Sequence, residues 1–391
     1  MALNDVVFVK STSGLGRPLA GQDHISGFLV YNNTLPAGFT TTNNVLIFYS
    51  ISDAVAAGIA QGSGTTGVYW YHINEFFKMQ PKGVLYFGIF PVPASTYDFA
   101  ELVTLQNFAS GKIRQAGIYC TITFATSQLT AIQTQAAALE AQHKPLQVLY
   151  AADISGVTNL GTLTDLTTLN APRVTLVISQ DGAGAGAALY TSTAKSITTI
   201  GNALGAVASA SVHECIGWPL KFPASDGVEN DTLAFANGTL FRTLSYSLLS
   251  TLDSYGYLFL LKIQDYDGSY YNNSYTAVTA TSDYRTIENN RTYDKAIRGV
   301  RAAMVPYIAA PIYVNPADGT LSEDTIKFFE GLANQPITQM EADGELSGHK
   351  VVINPAQNVL STSKLTLTLL NVPVGVARQI QVNVGFTTKL S

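Results

Sequence analysis

The first half of the chain alternates between short apolar runs and segments whose apolar residues recur at helical spacing. Apolar runs such as VLIFYS (45–50) and VLYFGIF (84–90) have the length of buried strands. Segments between the runs, such as VYWYHINEFFKM (68–79) and LTAIQTQAAALEAQ (129–142), have the spacing of helices. Strands separated by helices predict an α/β layer with a largely parallel sheet over residues 25–180.

The second half of the chain is richer in helices, and its strands come late. Thr320 and Glu323 stand in the register of a capping box, which predicts a helix start there. Gly256 follows a helical segment and is a predicted C-cap. The predicted elements are helices over 240–256, 282–308 and 320–334 and strands over 257–263, 350–355 and 364–370.

A loop-like stretch predicts where the domains divide. WPLKFPASDGVEND (218–231) has the Pro, Gly and acidic content of a boundary, so we place the domain change near residue 240. A helix of small residues precedes it (197–212) and is suited to pack closely against a neighbour. The predicted parts are an N-terminal arm (1–24), an outer α/β domain (25–240), a C-terminal α+β domain (241–373) and a C-terminal β arm (374–391).

The end of the chain, VGVARQIQVNVGFTTKLS (374–391), has apolar residues at every second position, with one break at Arg378. This period predicts a half-buried β-strand that runs almost to the last residue. Chain ends fray unless another element holds them, so the strand needs a partner in its own domain or in another molecule. The apolar positions are Val376, Ile380, Val382, Val384 and Phe386.

Composition favours a folded protein with much buried surface. Hydrophobic residues make up 47% of the chain and charged residues only 13%, which is the opposite of a disordered chain. The low charge predicts burial against other subunits; the alternative is an uncharged monomer of ordinary solubility. A net charge of −5 argues against a nucleic-acid binder.

The two cysteines and the absence of targeting signals predict a cytoplasmic site of synthesis. Cys120 and Cys215 have no metal-ligand neighbour at short spacing and are expected to be buried free thiols in a reducing compartment. The start of the chain, MALNDVVFVKSTSG, lacks the features of a signal peptide. The chain has no run of about twenty apolar residues, so no membrane span is predicted.

Candidate catalytic and ligand-binding motifs are weak. Gly182, Gly184 and Gly186 alternate and do not form a G-x-G-x-x-G phosphate loop, so a surface loop is the favoured interpretation. His213, Glu214 and Cys215 are adjacent in sequence, do not share a face, and have no second ligand pair. No G-x-S-x-G elbow or complete calcium loop is present. We therefore predict no catalytic residue, cofactor or metal, and no enzyme.

The predicted helix over 282–308 has one apolar face and one basic face at about 100° per residue. A solvated surface is the ordinary interpretation of such a basic face, and Asp294 partly offsets its charge. The alternative is a stripe that docks onto an acidic partner and gives salt-sensitive association. The basic residues are Arg291, Lys295, Arg298 and Arg301.

Several stretches resemble the tail sheath proteins of contractile bacteriophages and contractile injection systems. The resemblance is clearest in the last third and extends to VYWYHINEFFKMQPKGVLYFGIF and NALGAVASASVHECIGWP in the amino half. It implies an α/β outer domain and a C-terminal α+β sheath domain with extended arms. The stretches in the last third are LLSTLDSYGYLFLLKIQDYDGSYYNNSYTA, SDYRTIENNRTYDKAIRGVRAAMVPYI and GELSGHKVVINPAQNVLSTSKLTLTLLNVPVGVARQIQVNVGF.

The resemblance implies a structural machine whose subunits stack as hexameric rings around an inner tail tube and shorten when a baseplate triggers them. Implied partners are copies of the chain, the tube protein, and baseplate and tail terminator proteins, without nucleic acid or membrane insertion. The implied location is a phage tail or injection-system particle. The family's tube contact would fall on Arg291, Lys295, Arg298 and Arg301. Its inter-subunit arms would use Val6, Val7, Phe8 and Val9 and Ile380, Val382, Val384 and Phe386, with Pro373 and Gly375 at the root of the second arm.

Two other functions compete with this interpretation. An α/β domain of this kind can bind a small molecule at the carboxyl ends of its strands, here near Gly182–Gly186. A different self-assembling shell or fibre protein would share the low charge and the strand at the chain end.

Overall fold

A six-stranded mixed sheet lies at the centre of the molecule in a computed structural model that describes residues 21–384 and 386. Its strands are β1 (Ile25–Tyr31), β2 (Val45–Phe48), β3 (Val84–Phe90), β4 (Gln115–Thr123), β5 (Gln147–Asp153) and β6 (Val174–Leu176). They lie in the order β2–β3–β1–β4–β5–β6; β2 is antiparallel to β3 and every other neighbouring pair is parallel. The predicted largely parallel sheet is confirmed.

Helices cover both faces of this sheet. Successive side chains of a strand point to opposite faces, so Phe28 of β1 is buried in one core and Leu29 in the other. Burial on both faces explains why VLYFGIF is apolar at nearly every position. The helices between the strands are α1 (Ile51–Ala56), α2 (Gly64–Met79), α3 (Glu101–Phe108) and α4 (Thr126–Ala141).

The small-residue helix predicted over 197–212 packs inside the chain, against α2. A Cβ atom on Gly201 would stand 2.1 Å from the carbonyl oxygen of His72, and one on Gly205 would stand 2.6 Å from that of Phe76. Only glycine permits this approach, so the neighbour that the small residues meet is a helix of the same chain. The elements of this region are β7 (Ser179–Asp181), α5 (Ala185–Thr193), α6 (Ile200–Ser209) and β8 (Leu233–Phe235).

The segment after residue 240 continues the same cores. Leu252, Tyr257 and Phe259 are buried with Leu29, so the hydrophobic core runs past the boundary predicted near 240. The stretch 218–231 is a loop that is bonded to the segment after residue 240, where the amide of Ala224 donates to the carbonyl of Ser269 at 2.8 Å. We call residues 21–286 the body. Its last elements are α7 (Tyr246–Ser254), β9 (Leu260–Ile263) and β10 (Tyr266–Tyr271).

Residues 287–373, which we call the C-terminal module, have a small core of their own. Ala296 and Ile337 are buried together between the two long helices of the module. A Cβ atom on Gly299 would stand 2.8 Å from Cβ of Pro336, so glycine allows these helices to approach at that point. The elements are α8 (Ile287–Met304), α9 (Glu323–Ala342), β11 (Leu346–Ile353), α10 (Val359–Thr362) and β12 (Leu367–Pro373).

The ends of the long helices differ from the prediction. Helix α8 is followed by a 3-10 turn, Val305–Tyr307, within the predicted range 282–308. Helix α9 is capped by Ser322, whose hydroxyl accepts from the amide of Thr325 at 3.3 Å, rather than by Thr320. It then continues beyond the predicted end at 334.

Candidate subunit interfaces

The chain end that was predicted as a strand has no partner strand within the described part of the chain. Residues 374–384 and 386 belong to no helix or strand. Ile380, Val382, Val384 and Phe386 are 82, 74, 87 and 109% exposed. Four apolar side chains in strand register are therefore left uncovered, and the strand remains a prediction for the assembled protein.

The break in this alternation, Arg378, is bound by the body and by the first turn of α8. Its Nε donates to Oδ1 of Asn273 at 2.7 Å, and a second nitrogen of the guanidinium pairs with Glu288. Glu288 is buried, and its other oxygen accepts from the Ser274 hydroxyl at 2.5 Å. Sequence reasoning missed this contact, although the break at Arg378 was its signal.

The hairpin of β11 and β12 presents a second uncovered surface. The two strands pair antiparallel, and among the described residues neither has another strand on its outer edge. Val352, Leu370 and Val372 are exposed on the outer face of the hairpin. An open edge beside apolar side chains is suited to accept a strand from another chain.

An apolar groove of about 380 Å³ lies between the C-terminal half of α8 and β12. Its walls are almost entirely apolar, and a histidine and an arginine are its polar members. The groove lies on the side of the hairpin that carries Leu367 and Leu369, opposite the side that carries Leu370 and Val372. Its lining includes His143, Ile297, Val300, Arg301, Met304, Leu367 and Leu369.

The first residue of the predicted basic stripe, Arg291, lies inside the molecule. Its guanidinium donates to the carbonyls of Ala210 and Ser211 at 3.1 and 3.3 Å. Burial lowers the pKa of Arg291 to about 10. In the free chain this side chain is thus not available to a partner, because its donors are used on the body.

Lys295 and Arg298 join α8 to the start of β1. Both pair with Asp23, at 3.2 and 2.9 Å, and Lys295 also pairs with Glu345 at 2.6 Å. Burial opposes the ionisation of Asp23, but the surrounding cations outweigh burial and lower its pKa. Of the four stripe residues, Arg301 is the exposed one. The tube contact stays a prediction, while three of its residues form an internal joint in the free chain.

A second ion-pair group joins α8 to the body from the other side. Arg173 donates to both carboxylate oxygens of Asp294 at 2.6 and 2.9 Å, and to Glu140 at 2.8 Å. Arg173 and Asp294 are buried, whereas the side chain of Glu140 is 42% exposed. Burial opposes the charge of Arg173, and the two carboxylates more than offset this and raise its pKa.

The glycine-rich loop before α5 already holds a carboxylate of the chain itself. Both oxygens of Glu229 lie within hydrogen-bond distance of the amide of Ala185, at 2.9 and 3.0 Å, and a Cβ atom on Gly184 would stand 2.7 Å from this carboxylate. An anionic ligand at this helix start would meet Glu229, which disfavours a phosphate site near Gly182–Gly186.

The other candidate motifs have structural roles or lie outside the described residues. Cys120 and Cys215 are buried free thiols, as predicted. Within 21–384, no group of His, Cys, Asp and Glu is arranged to hold a metal ion. No described helix has the length and apolar character to cross a membrane. Val6, Val7, Phe8 and Val9 lie outside the described residues.

The fold is that of contractile sheath proteins. A chain of the anti-feeding prophage baseplate matches with a TM-score of 0.62 at 14% identity over 100% of both chains. A chain of the contracted sheath complex of PVC, an extracellular contractile injection system, matches with a TM-score of 0.62 at 12% identity, over 100% of this chain and 98% of the other. The sheath tail protein of Listeria innocua matches with a TM-score of 0.53 at 9% identity, over 91% and 96%.

The chain belongs to the DUF2586 family. The N-terminal domain model of that family matches residues 3–275, and the C-terminal domain model matches residues 283–391. No curated protein matches the chain by sequence. The two family models meet close to the start of α8, where the body gives way to the C-terminal module.

Proposed function

We propose that this chain is a structural subunit of a contractile tail sheath. The observation that carries the proposal is the fold shared with a chain of a contractile baseplate and a chain of a contracted sheath complex, over at least 98% of each. The four uncovered apolar side chains of the chain end support it, because a subunit that works alone gains nothing from exposing them.

In the proposed assembly, subunits stack as hexameric rings around an inner tail tube and are linked by arms. Ile380, Val382, Val384 and Phe386 add a strand to the open hairpin edge of a neighbouring copy, which supplies a ladder of backbone hydrogen bonds. Val6, Val7, Phe8 and Val9 form the corresponding arm at the other end. A hydrogen-bonded link of this kind stays closed while the subunits reorient.

The proposed particle is a phage tail or an injection system, assembled from chains made in the host cytoplasm. Its partners are the tube protein, a baseplate and a tail terminator. Shortening draws its free energy from subunit interfaces that are better packed in the short state, and so needs no nucleotide. The chain is not proposed to act as an enzyme.

The proposed tube contact is centred on Arg301, with Lys295 and Arg298 beside it. Arg301 is exposed on the far half of α8, whereas Arg291 is committed to carbonyls of the body. The double change Arg291→Glu and Arg298→Glu would disturb the joint as well as the surface. Arg301→Glu is therefore the cleaner variant, and we expect it to weaken co-assembly with the tube at low salt while the fold is retained.

Electron microscopy of the purified protein, alone and with the tube protein, tests the proposal. Tubes of constant diameter are expected. A monodisperse monomer that binds a small molecule saturably would instead favour the α/β enzyme, and sheets or solid fibres would favour another self-assembling protein.

A further inference from the structure

We infer that Arg378 is an intrachain anchor that fixes the point at which the C-terminal segment leaves its own subunit. The residues before it then belong to the donor subunit, and only residues from 379 onward reach a neighbour. The role of the neighbour rests on the proposed sheath function, whereas the anchor itself is a property of the single chain.

The anchor site is built from three successive residues of a loop and from the start of α8. Asn273 and Ser274 are buried, and each places one side-chain oxygen toward this site. The ring of Tyr275 lies 5.6 Å from the guanidinium of Arg378, within reach of a cation–π contact. Glu288 supplies the negative charge at the base of the site.

Arginine suits this site because a single side chain meets an amide oxygen and a carboxylate at once. Glu288 is only 2% exposed, and a buried carboxylate without a cation is strongly destabilising. Arg291 lies near enough to interact with Glu288, but it donates to the carbonyls of Ala210 and Ser211 instead. Arg378 is therefore the cation that Glu288 receives, and it is supplied by the C-terminal segment.

The anchor shortens the reach of the segment. From residue 378 to residue 386 an extended chain spans at most about 29 Å. If the segment moved freely from Pro373, the same end would reach about 47 Å. The anchor thus predicts that the acceptor edge of a neighbouring copy lies within the shorter distance of Arg378.

The anchor also fixes which face of the strand is presented. In an extended chain, side chains two positions apart point to the same side. Arg378 has the same parity as Ile380, Val382, Val384 and Phe386. When Arg378 is held by the body, the side on which the apolar row emerges is set relative to the body before any neighbour arrives.

Trypsin tests the anchor directly, because cleavage after Arg378 requires this side chain to leave Glu288 and enter the protease. The folded chain is digested as a free subunit, and the rate of cleavage of the 378–379 bond is measured by mass spectrometry. A synthetic peptide of residues 370–391 gives the rate without the body. We expect cleavage in the chain to be at least tenfold slower than in the peptide.

Two variants remove the partners of Arg378 and leave Arg378 itself in place. Glu288→Gln keeps the shape but removes the charge, and Asn273→Ser removes the second hydrogen bond; each is expected to raise the cleavage rate at 378 by several fold. Cleavage after Lys364, which is exposed in β12's preceding loop, is the internal control and should not change. If Glu288→Gln misfolds, as judged by circular dichroism, Asn273→Ser decides the test.

Cleavage at 378 in the wild-type chain at the rate of the peptide would overturn the anchor. So would equal protection in the wild type and in both variants. Because the digestion uses free subunits, its outcome is separate from tube formation: a protected Arg378 in a protein that forms no tubes would overturn the sheath and leave the anchor. Tubes formed by a chain with an unprotected Arg378 would overturn the anchor and leave the sheath.

Discussion

Strand β1 and the last described residues both have the apolar pattern of a strand, but they differ in how far their apolar side chains are buried. In β1, Phe28 and Leu29 are both fully covered by helices of the same chain. In the C-terminal segment, Ile380 and Val382 are covered by nothing that the structure describes. A strand-like pattern therefore indicates that the apolar side chains of a segment need to be buried. Only the surrounding fold shows whether the same chain buries them. Variants that separate the stability of the body from the role of the segment test this contrast.

The largest expected effect on the stability of the free subunit comes from Asp294→Ala. This change leaves the buried guanidinium of Arg173 with only its exposed partner Glu140, and should cost about 3 kcal/mol in the free energy of unfolding. Glu140→Ala removes a carboxylate from the same arginine at the surface and should cost less than about 1 kcal/mol. Urea unfolding of both variants gives the comparison, and equal losses would contradict the importance of burial here.

A second pair of variants compares two helical glycines. Gly201→Ala places a methyl group against the carbonyl of His72 and should destabilise the body by about 1–3 kcal/mol. Gly331 lies in α9 with no atom near its missing Cβ, so Gly331→Ala should stabilise the module by up to about 1 kcal/mol. Thermal unfolding of the two proteins reports the sign of each change. The same sign for both would contradict the close packing of α6 on α2.

The third prediction concerns acid. His72 is buried, its ring lies 5.7 Å from that of Phe28 and 4.8 Å from that of Tyr119, and burial lowers its pKa to about 3. The unfolded chain binds a proton at this residue below about pH 6.5 whereas the folded chain does not, so stability falls as pH falls from 6.5 toward 3. The slope reaches about 1.4 kcal/mol per pH unit.

The variant His72→Phe keeps a ring in this place and removes the titration. Unfolding midpoints in urea between pH 7.5 and 4.5 should therefore fall more steeply for the wild type than for the variant. Parallel curves would show that His72 takes up its proton without unfolding.

The smallest expected effect on the subunit, and the largest on assembly, comes from Val382→Ser with Val384→Ser. Both side chains are exposed, so the free energy of unfolding should change by less than about 0.5 kcal/mol. Tubes should be lost, because the donated strand loses the two central residues of its apolar face. Gln381→Ser with Asn383→Ser alters the opposite face and should leave assembly intact. If the valine variant unfolds the free subunit, the strand belongs to its own core.

The sheet was predictable because its signal is local. VLYFGIF and the helices around it carry the right periods, and short connections bring successive elements together. The partner of α6 was not predictable, because small residues at 201 and 205 permit close packing without naming the surface that is approached. Helix α6 could only be assigned to α2 from the fold.

The surroundings of the candidate interface residues were predictable only in part. The apolar row at 380–386 was visible from its period, although the period did not say what covers it. A helical wheel could not tell that Arg291 faces the carbonyls of Ala210 and Ser211. A wheel separates polar from apolar faces, and it cannot separate water from buried polar groups. For the same reason Arg378 was read only as an interruption of the apolar alternation, whereas its side chain is bound by Asn273 and Glu288.

Helix α8 belongs to two cores, and this gives the chain a particular mechanical character. Its 18 residues make a rod about 27 Å long, whose first half is gripped by the body and whose second half carries the C-terminal module. A pull on the module is transmitted along this rod to Arg173 and Asp23 together, so the contacts resist as a group in shear. A neighbour's movement of the module would therefore reach the centre of the body through α8 with little bending of the helix.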